Sequence, residues 1–401
     1  MGTELLWLLA VFFAVIFAIT RGLRMGLALL AGGAALGLLL GQRPAQVLLA
    51  LARSTFRWET LSLVAAISLI QILNHVMRQT GQMQRLVDGL QRRLTDGRML
   101  LMAVPTMSTV FPGPGGVLVS APMLDAVADR LNLAAAPRAF YNYWFRHIIQ
   151  LASPVTFSFV MATKVTGMPA RNLFLYLVPA SVIGYLVGTV ILFTRVPRPE
   201  PGAPVPQAGG RSLWLDSLPL LAVVVLVIVL DLDLSLSLLV ALLAALVVSR
   251  VPVRRAALLV GGGFSWDLAL LMVGIQYFEQ MVVHTGSAAA AAAAWSRAGL
   301  PVLLLITALP MATGLLLGHQ AGTVALIFPL TQPVLDTYHL GVPYFATVYL
   351  LARIGAGLSP INASVALTQK HYGVSLWDVY RWMAAPTVAV VLVMLAVDRL
   401  A

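Results

Sequence analysis

The stretch that decides the fold is Ser153-Pro-Val-Thr-Phe-Ser158, which recurs 206 residues later as Ser359-Pro-Ile-Asn-Ala-Ser364. Both copies lie in long apolar segments. A proline inside a helix removes one backbone donor and frees the carbonyl one turn earlier. Each copy therefore predicts an apolar helix that is broken near its middle.

Other matches surround this pair at nearly the same spacing. Phe56-Arg-Trp-Glu59 recurs as Phe264-Ser-Trp-Asp267, at an offset of 208 residues. Three single residues recur at an offset of 207: Trp7 as Trp214, Arg43 as Arg250 and Arg146 as Arg353. Matches that stay in register over the whole chain indicate an internal duplication. We assign the first copy to residues 1–195 and the second to 212–401, joined by a cytoplasmic linker, 196–211, that is rich in Pro and Gly.

The composition is that of a membrane protein. Of the 401 residues, 60% are hydrophobic and 10% are charged, whereas soluble domains carry about 25% charged residues. The net charge of +11 comes mainly from scattered arginines in loops. This pattern is typical of cytoplasmic loops and does not favour nucleic-acid binding. The chain has no cysteine, which excludes disulfides and thiolate-bound metals.

We predict an all-α polytopic membrane protein with five transmembrane spans and one re-entrant hairpin in each copy. The hairpins cover about 99–130 and 301–335 and are interrupted by Pro105 or Pro310 and by a glycine-rich tip. The spans are 5–20, 25–40, 60–77, 140–163 and 172–194, then 213–230, 234–249, 266–283, 344–369 and 377–397. Because five crossings are an odd number, the second copy must be inverted, as in many secondary transporters.

The distribution of positive charge gives an orientation. With the N-terminus outside, 16 of the 26 Lys and Arg residues fall in inside loops and 7 in outside loops, while Arg146, Arg353 and Arg381 lie in or near spans. This bias agrees with the positive-inside rule. It places the turn Asp231–Asp233 outside.

The broken segments supply two kinds of candidate ligand. Irregular backbone within a membrane is tolerated only where it is buried in protein or lines a cavity. Neutral side-chain oxygens at the breaks suit an alkali cation near a helix C-terminus. The candidate cation ligands are Ser153, Thr156, Ser158, Ser359, Asn362 and Ser364. Free amides at the start of each second hairpin limb favour an anion. The candidate residues there are Gly115, Gly116, Gly322 and Thr323.

Charged and titratable side chains within the spans and at the second tip are further candidate site residues. Arg146 and Arg353 precede the breaks by 7 and 6 residues, and a buried arginine in a bilayer indicates a functional site. Alternatively, Arg146 snorkels beside His147 at the inner interface. His319, at the second tip, is either a substrate donor or a packing residue. Glu279 could carry a proton or pair with an arginine, but we favour an interfacial residue near the outer end of its span.

Three segments resemble a known family: Pro112-Gly-Pro-Gly-Gly116, Ser120-Ala-Pro-Met123 and Asn142-Tyr-Trp-Phe-Arg-His147. They are similar to bacterial and archaeal integral membrane proteins that are grouped with the ion-transporter superfamily, alongside gluconate, citrate, dicarboxylate and arsenite permeases. The resemblance implies an inverted-repeat fold in the prokaryotic plasma membrane. It also implies a homodimer and an elevator-like movement of a transport domain against a scaffold.

The sequence therefore predicts a secondary active transporter of a small organic anion of the carboxylate type. Na⁺ or H⁺ would drive it, and we expect no other cofactor or metal. An ion channel or uniporter is the first alternative, but polar residues concentrate at four breaks instead of lining every span. A membrane-embedded enzyme is less favoured, because the spans hold neither an HExxH motif nor a pair of aspartates. A primary pump is excluded by the lack of a GxxxxGK[ST] loop.

Overall fold

In a computed structural model of the chain, we describe residues 3–94, 96–109, 115–196, 213–287, 289–290, 293, 297 and 301–400. The regular elements of these residues are helices, without a β-strand. The helices before the linker are α1 Thr3–Thr20, α2 Met25–Leu39, α3 Pro44–Thr55, α4 Trp58–Gln79, α5 Gln82–Arg93, α6 Gly97–Ser108, α7 Gly115–Arg130, α8 Ala135–Leu151, α9 Phe157–Thr166 and α10 Ala170–Arg195. Those after it are α11 Leu213–Val224, with a π-helical extension Val225–Val229, α12 Leu234–Val248, α13 Val253–Gly263, α14 Trp266–His284, α15 Val302–Leu317, α16 Gln320–Thr337, α17 Val342–Leu358, α18 Ala363–Tyr372 and α19 Leu376–Leu400.

Local sequence sets several of the helix ends. At the start of α12, Asp233 accepts hydrogen bonds from the backbone amides of Ser235 (2.8 Å) and Leu236 (3.1 Å), two donors that have no partner within the helix. α15 ends at Gly318, whose φ of +62° is a left-handed conformation that glycine adopts without strain. α16 begins only two residues later, at Gln320, and packs against α15. These two helices are the limbs of the second hairpin.

By length and composition, the described helices account for six of the ten predicted spans. Five segments are long and apolar enough to cross a membrane, and the pair α13–α14, bent by 50°, makes a sixth. α2 and α12 have only 15 residues each, or about 22 Å of helix against a hydrocarbon core of about 30 Å. α11 is also a short apolar helix. The span predicted at 140–163 is divided between α8 and α9.

Two details of the predicted hairpins are corrected. Pro105 lies inside the continuous helix α6, and Pro310 lies inside α15, so neither proline interrupts its limb. Proline is tolerated inside a membrane helix where neighbouring groups satisfy the freed carbonyl. The first tip, including Pro112, and all of the predicted linker but Val196 lie outside the described residues. Segments predicted as loops contain the helices α3, α5 and α13.

The chain forms two compact units, each drawn from both halves of the sequence. The first unit comprises Met1–Ser68, Phe157–Asn172 and Ser265–Ser359. The second comprises Leu69–Thr156, Leu173–Phe264 and Pro360–Ala401. Each unit therefore holds one hairpin, the helix that precedes one break and the short helix that follows the other break.

Small residues allow close helix packing in the first unit. A methyl group added to Gly26 of α2 would lie 2.8 Å from the backbone nitrogen of Leu271 in α14. In the same way, a methyl group on Gly314 of α15 would overlap the backbone of α17 at Ala352. Such contacts are typical of helix pairs in membranes. They hold α15 against α17, which carries Arg353.

In the second unit, α8 lies among α6, α7, α18 and α19. A buried ion pair joins two other helices of this unit, α5 and α11. Asp216, 1% exposed, accepts hydrogen bonds from Arg85 Nη2 (2.8 Å) and Nε (3.1 Å). Gln82 Nε2 donates to the Asp216 carbonyl at 3.1 Å. This contact fixes α5, which the sequence did not predict, to the start of a predicted span.

Candidate functional site

Arg146 is buried beside the start of a helix. It lies on α8 with 1% of its surface exposed, and α7 begins at Gly115. A methyl group on Gly116 would come 2.8 Å from Arg146 Nη1 and 2.9 Å from the carbonyl oxygen of Ser108 in α6. The lack of a side chain at Gly116 therefore lets the guanidinium approach the first turn of α7.

Part of this guanidinium has no partner among the described residues. Arg146 Nε and Nη2 are buried and make no hydrogen bond with any described residue. The first backbone amides of α7 also lack intrahelical partners, and they carry the positive end of the helix dipole. A permanent cation and a helix N-terminus thus meet in a buried place. Such an arrangement favours a bound anion.

Asn142 extends this polar region by one helical turn along α8. Its Oδ1 accepts a hydrogen bond of 2.6 Å from the hydroxyl of Ser120 in α7. Its Nδ2 and the Tyr372 hydroxyl on α18 are both buried, and the two side chains interact with each other. These neutral donors could help to orient a polar ligand.

Arg353 has a different environment in the first unit. It is 4% exposed on α17. Its Nη1 donates to the hydroxyl of Ser158 on α9 and, at 3.2 Å, to the hydroxyl of Tyr349 one turn earlier. Arg146 and Arg353 are equivalent positions of the duplication, but among the described residues side-chain hydroxyls bind the guanidinium of Arg353 while Nε and Nη2 of Arg146 have no partner.

The tip of the second hairpin is closed by its own hydrogen bonds. His319 Nδ1 accepts from the backbone amide of Gly322 at 3.0 Å, and the Thr323 hydroxyl donates to the His319 carbonyl at 2.9 Å. His319 thus satisfies one of the free amides at the start of α16.

The predicted cation ligands are placed at the two breaks. After the first break, the Thr156 hydroxyl donates to the Ser153 carbonyl at 3.0 Å. At the second, the Ser359 hydroxyl donates to the Leu315 carbonyl at 2.7 Å. Asn362 Oδ1 caps α18 by accepting from the amides of Ser364 (2.9 Å) and Val365 (3.2 Å). Each break therefore joins a helix C-terminus to a helix N-terminus.

Each predicted triplet is divided between the compact units. Ser153 and Thr156 belong to the second unit, while Ser158 belongs to the first and contacts Arg353. Ser359 belongs to the first unit, and Asn362 and Ser364 to the second. The hydroxyl of Ser158 is a poor cation ligand here, because the neighbouring guanidinium repels a cation. We therefore leave Ser158 out of the cation site proposed below.

Comparison with protein families gives the chain a relationship. The model of the family described as "Protein of unknown function (DUF401)" matches residues 3–399. The chain belongs to the DUF401 family. No sequence among curated proteins matches it.

The fold of the DUF401 chain is also found in a solved structure. It is similar to the crystal structure of the Alcanivorax borkumensis YdaH transporter, with a TM-score of 0.64 and 15% sequence identity. The match covers 88% of this chain and 87% of the other. Likeness at this identity concerns the fold alone. Together with the apolar helices, it makes the DUF401 chain a multi-pass membrane protein.

Sequence reasoning missed two polar residues that lie one helical turn before the arginines. Asn142 precedes Arg146 by four residues, and Tyr349 precedes Arg353 by four. Side chains at this spacing share one face of a helix. Asn142 and Tyr349 are also equivalent positions of the duplication, at an offset of 207. The spacing in both copies was a signal for these polar neighbours in the DUF401 chain.

Proposed function

We propose that this protein is a secondary active transporter of a small organic anion, coupled to Na⁺ or H⁺. The observation that carries the anion assignment is the buried guanidinium of Arg146. Its Nε and Nη2 have no partner in the described part of the chain, and it faces the start of α7. An unpaired buried cation is costly, and a carboxylate would satisfy it with two parallel hydrogen bonds.

Of the two arginines predicted to bind the solute, we assign this role to Arg146. The Arg353 guanidinium donates to Ser158 and Tyr349, so an anion would have to compete with hydrogen bonds already made. Arg353 then serves to hold α9 against α17. The roles predicted for His319 and Thr323, at the second hairpin of the first unit, stay predictions.

We propose that the coupling cation binds at the breaks, close to the C-terminal ends of α8 and α17. Ser153, Thr156 and Ser359 supply hydroxyl oxygens beside them. Broken helices of this kind hold substrates and ions in several transporter folds. If the coupling ion is H⁺, these oxygens cannot carry it, and Glu279 or His319 becomes the carrier.

The proposed inverted topology is supported by contacts within each unit. Arg24 Nη1 lies 3.0 Å from Asp267 Oδ1, and the positive-inside rule puts both residues on the inside. The same holds for Arg85 and Asp216. In the inverted arrangement, residues that contact each other across the two copies must lie on the same side of the membrane, and both pairs do.

The topology can be tested by labelling single cysteines in whole cells, because the chain has no native cysteine. Arg21→Cys follows the first span of the first copy, and Leu232→Cys follows the first span of the second. An impermeant thiol reagent should label Leu232→Cys in intact cells and Arg21→Cys only after the membrane is opened. Labelling of both from one side would contradict the inverted repeat.

We further propose a homodimer that works by an elevator-like movement. Both features rest on the resemblance to the ion-transporter superfamily. A channel or uniporter is the alternative function. It is distinguished by uptake into proteoliposomes, since only a coupled transporter accumulates a labelled anion against its gradient when a Na⁺ or pH gradient is imposed.

The first experiment is a ligand screen. The purified protein is heated in detergent with gluconate, citrate, succinate or phosphate, in NaCl or in choline chloride of equal ionic strength. An anion that binds only the folded state raises the unfolding temperature in a saturable manner. The proposal fails if none of these anions stabilises the protein, or if the one that does stabilises Arg146→Met equally well.

A further inference from the structure

A cluster of charged side chains connects α7, α8 and α18 within the second unit. His371 Nε2 of α18 lies 2.7 Å from Asp125 Oδ2 of α7. Arg138 Nη1 of α8 donates to Asp129 Oδ1 of α7 and lies 4.0 Å from Asp125 Oδ1. The anion transport proposed above gives this cluster no role.

The pair of His371 and Asp125 can exchange a proton with water. The two side chains are 32% and 35% exposed. Because a carboxylate only accepts hydrogen bonds, Nε2 of the imidazole keeps its hydrogen in both charge states, and Nδ1 is the nitrogen that gains or loses a proton. Histidine is the residue type that changes its charge most readily in the physiological pH range. His371 is therefore a proton acceptor with access to the aqueous phase.

Charges on the neighbouring helices act on this imidazole in opposite directions. α7 and α8 pack against α18. The carboxylates of Asp125 and Asp129 favour the protonated imidazole, whereas the guanidinium of Arg138 disfavours it. The other charged or titratable groups on these helices include Arg130, Arg146, His147, Lys370 and Tyr372. Asp125 makes the direct contact, so its charge has the largest effect.

Tyr372 links the cluster to the surroundings of Arg146. Its ring packs edge to face against that of His371, with the ring centroids 4.8 Å apart. The Tyr372 hydroxyl is buried and interacts with Asn142. The charges of Asp125 and Arg146 both act on this hydroxyl. A change of charge at the cluster therefore changes the electrostatic potential around the Arg146 guanidinium.

The first unit has no such pair at the equivalent positions of the duplication. Asp125 corresponds to Gln332 at the offset of 207 residues. His371 corresponds to Val165 at the offset of 206 that relates Lys370 to Lys164. Gln332 and Val165 both belong to the first unit, which also contains Arg353. An architectural role common to both copies therefore does not explain the pair, which accompanies Arg146.

We propose that His371 and Asp125 form a proton-binding site that is linked to anion binding at Arg146. With His371 protonated, the pair is neutral overall. With His371 deprotonated, the pair carries one negative charge, which disfavours an anion at the start of α7. Because linkage is reciprocal, a bound anion raises the affinity of the pair for a proton. The anion therefore binds more tightly at low pH.

The size of this linkage follows from the distance along α7. Asp125 lies ten residues after Gly115, or about 15 Å along the helix axis. One charge at this distance changes an affinity by about two- to sixfold, depending on how far salt screens it. The linkage rests on the proposed anion site, and it holds whether Na⁺ or H⁺ drives transport.

The titration of His371 tests the linkage without any ligand. Full-length protein in detergent is labelled with ¹³C at Cε1 of its histidines, and NMR spectra are recorded from pH 5 to 9. His371→Gln identifies the signal. Arg146→Met removes a cation and should raise the proton affinity of His371 by about two- to sixfold. The matched control is Arg254→Met, which removes an exposed arginine of α13 in the same unit and should leave the titration unchanged, because water and salt screen that charge.

A second variant tests the contact within the pair. Asp125→Asn removes the adjacent negative charge and should lower the proton affinity of His371 by about tenfold. An unchanged titration of His371 in Arg146→Met would overturn the proposal. So would an unchanged titration in Asp125→Asn, because the carboxylate would then not stabilise the imidazolium.

Gluconate extends the test to an anion, since its carboxylate stays ionised over this pH range. It should raise the proton affinity of His371 in the wild-type protein and have no effect in Arg146→Met. A gluconate effect that persists in Arg146→Met would overturn the link to Arg146. The titrations of the two variants need no ligand, so a failure of the proton site and a failure of the anion assignment are distinguishable.

Discussion

Replacing Arg146 with methionine should abolish anion binding without lowering the stability of the free protein. Arg146→Met keeps an unbranched, flexible side chain, although a shorter one, and removes the buried charge. In the wild-type protein that charge has lost its hydration, and its Nε and Nη2 have gained no hydrogen bond with the described residues. Exchange of a buried ionic group for a well-packed apolar one is neutral or stabilises by about 1–4 kcal/mol. We therefore expect the unliganded variant to be at least as stable as the wild type.

Anion binding should respond in the opposite way. Each hydrogen bond to a charged group contributes about 1.5–3 kcal/mol, or about 10- to 150-fold in affinity. Loss of the guanidinium should thus abolish saturable stabilisation by the anion found in the ligand screen. Arg146→Lys keeps the charge but not the planar fork, so its affinity should lie between those of the wild type and Arg146→Met.

Arg353→Met is the matched control. It removes an equally buried arginine that donates to Ser158 and Tyr349, and it leaves two buried hydroxyls with fewer partners. We expect a loss of about 1–3 kcal/mol of stability and an unchanged anion affinity. Thermal and urea unfolding in detergent, each with and without the anion, measure both quantities. If Arg146→Met destabilises the free protein as Arg353→Met does and still binds the anion, Arg146 is a structural residue.

Three other substitutions test particular contacts. Gly116→Ala places a methyl group 2.8 Å from the guanidinium of Arg146 and 2.9 Å from a backbone oxygen of α6. Thermal unfolding should therefore show a loss of stability and of anion affinity. The control is Gly261→Ala, whose methyl group would have no atom within 4 Å and which should be neutral or slightly stabilising. Asp216→Ala breaks the ion pair with Arg85, whose side chain is 32% exposed. Because Arg85 can reach solvent, urea unfolding should show a loss of about 1–3 kcal/mol in the free energy of unfolding. A neutral result would contradict the role of this pair in anchoring α5. Asn362→Ala removes the cap of α18 and should cost about 1 kcal/mol; an unchanged effect of Na⁺ on unfolding would limit Asn362 to capping.

The sequence was informative where a residue acts on its own backbone. Pro154 and Pro360 each mark a place where a helix stops, and the structure has breaks between α8 and α9 and between α17 and α18. The reversal at Gly318 was likewise indicated by glycine in an apolar segment. These features depend on local chain geometry, which the residue type restricts directly.

The different environments of Arg146 and Arg353 could not be predicted from the sequence. Arg146 and Arg353 have equivalent positions in the duplication, and the sequence predicted one role for both. Their partners differ because Ser158, which contacts Arg353, lies 195 residues away in the chain. α3 and α13 were missed for another reason, since both are short and only half apolar, which does not distinguish a helix at a membrane surface from a loop.

Each compact unit contains segments from both halves of the sequence, and this has a consequence for biosynthesis. The first unit is not complete until Ser359 has been made, and the second ends with the chain. During synthesis, α2 therefore enters the bilayer before α14, the helix that it contacts at Gly26. α14 is translated more than 200 residues later. At about 5–20 residues per second, that delay is on the order of 10–50 s. Neither half of the sequence is an independent folding unit, so separately expressed halves should assemble only when both are present in the same membrane.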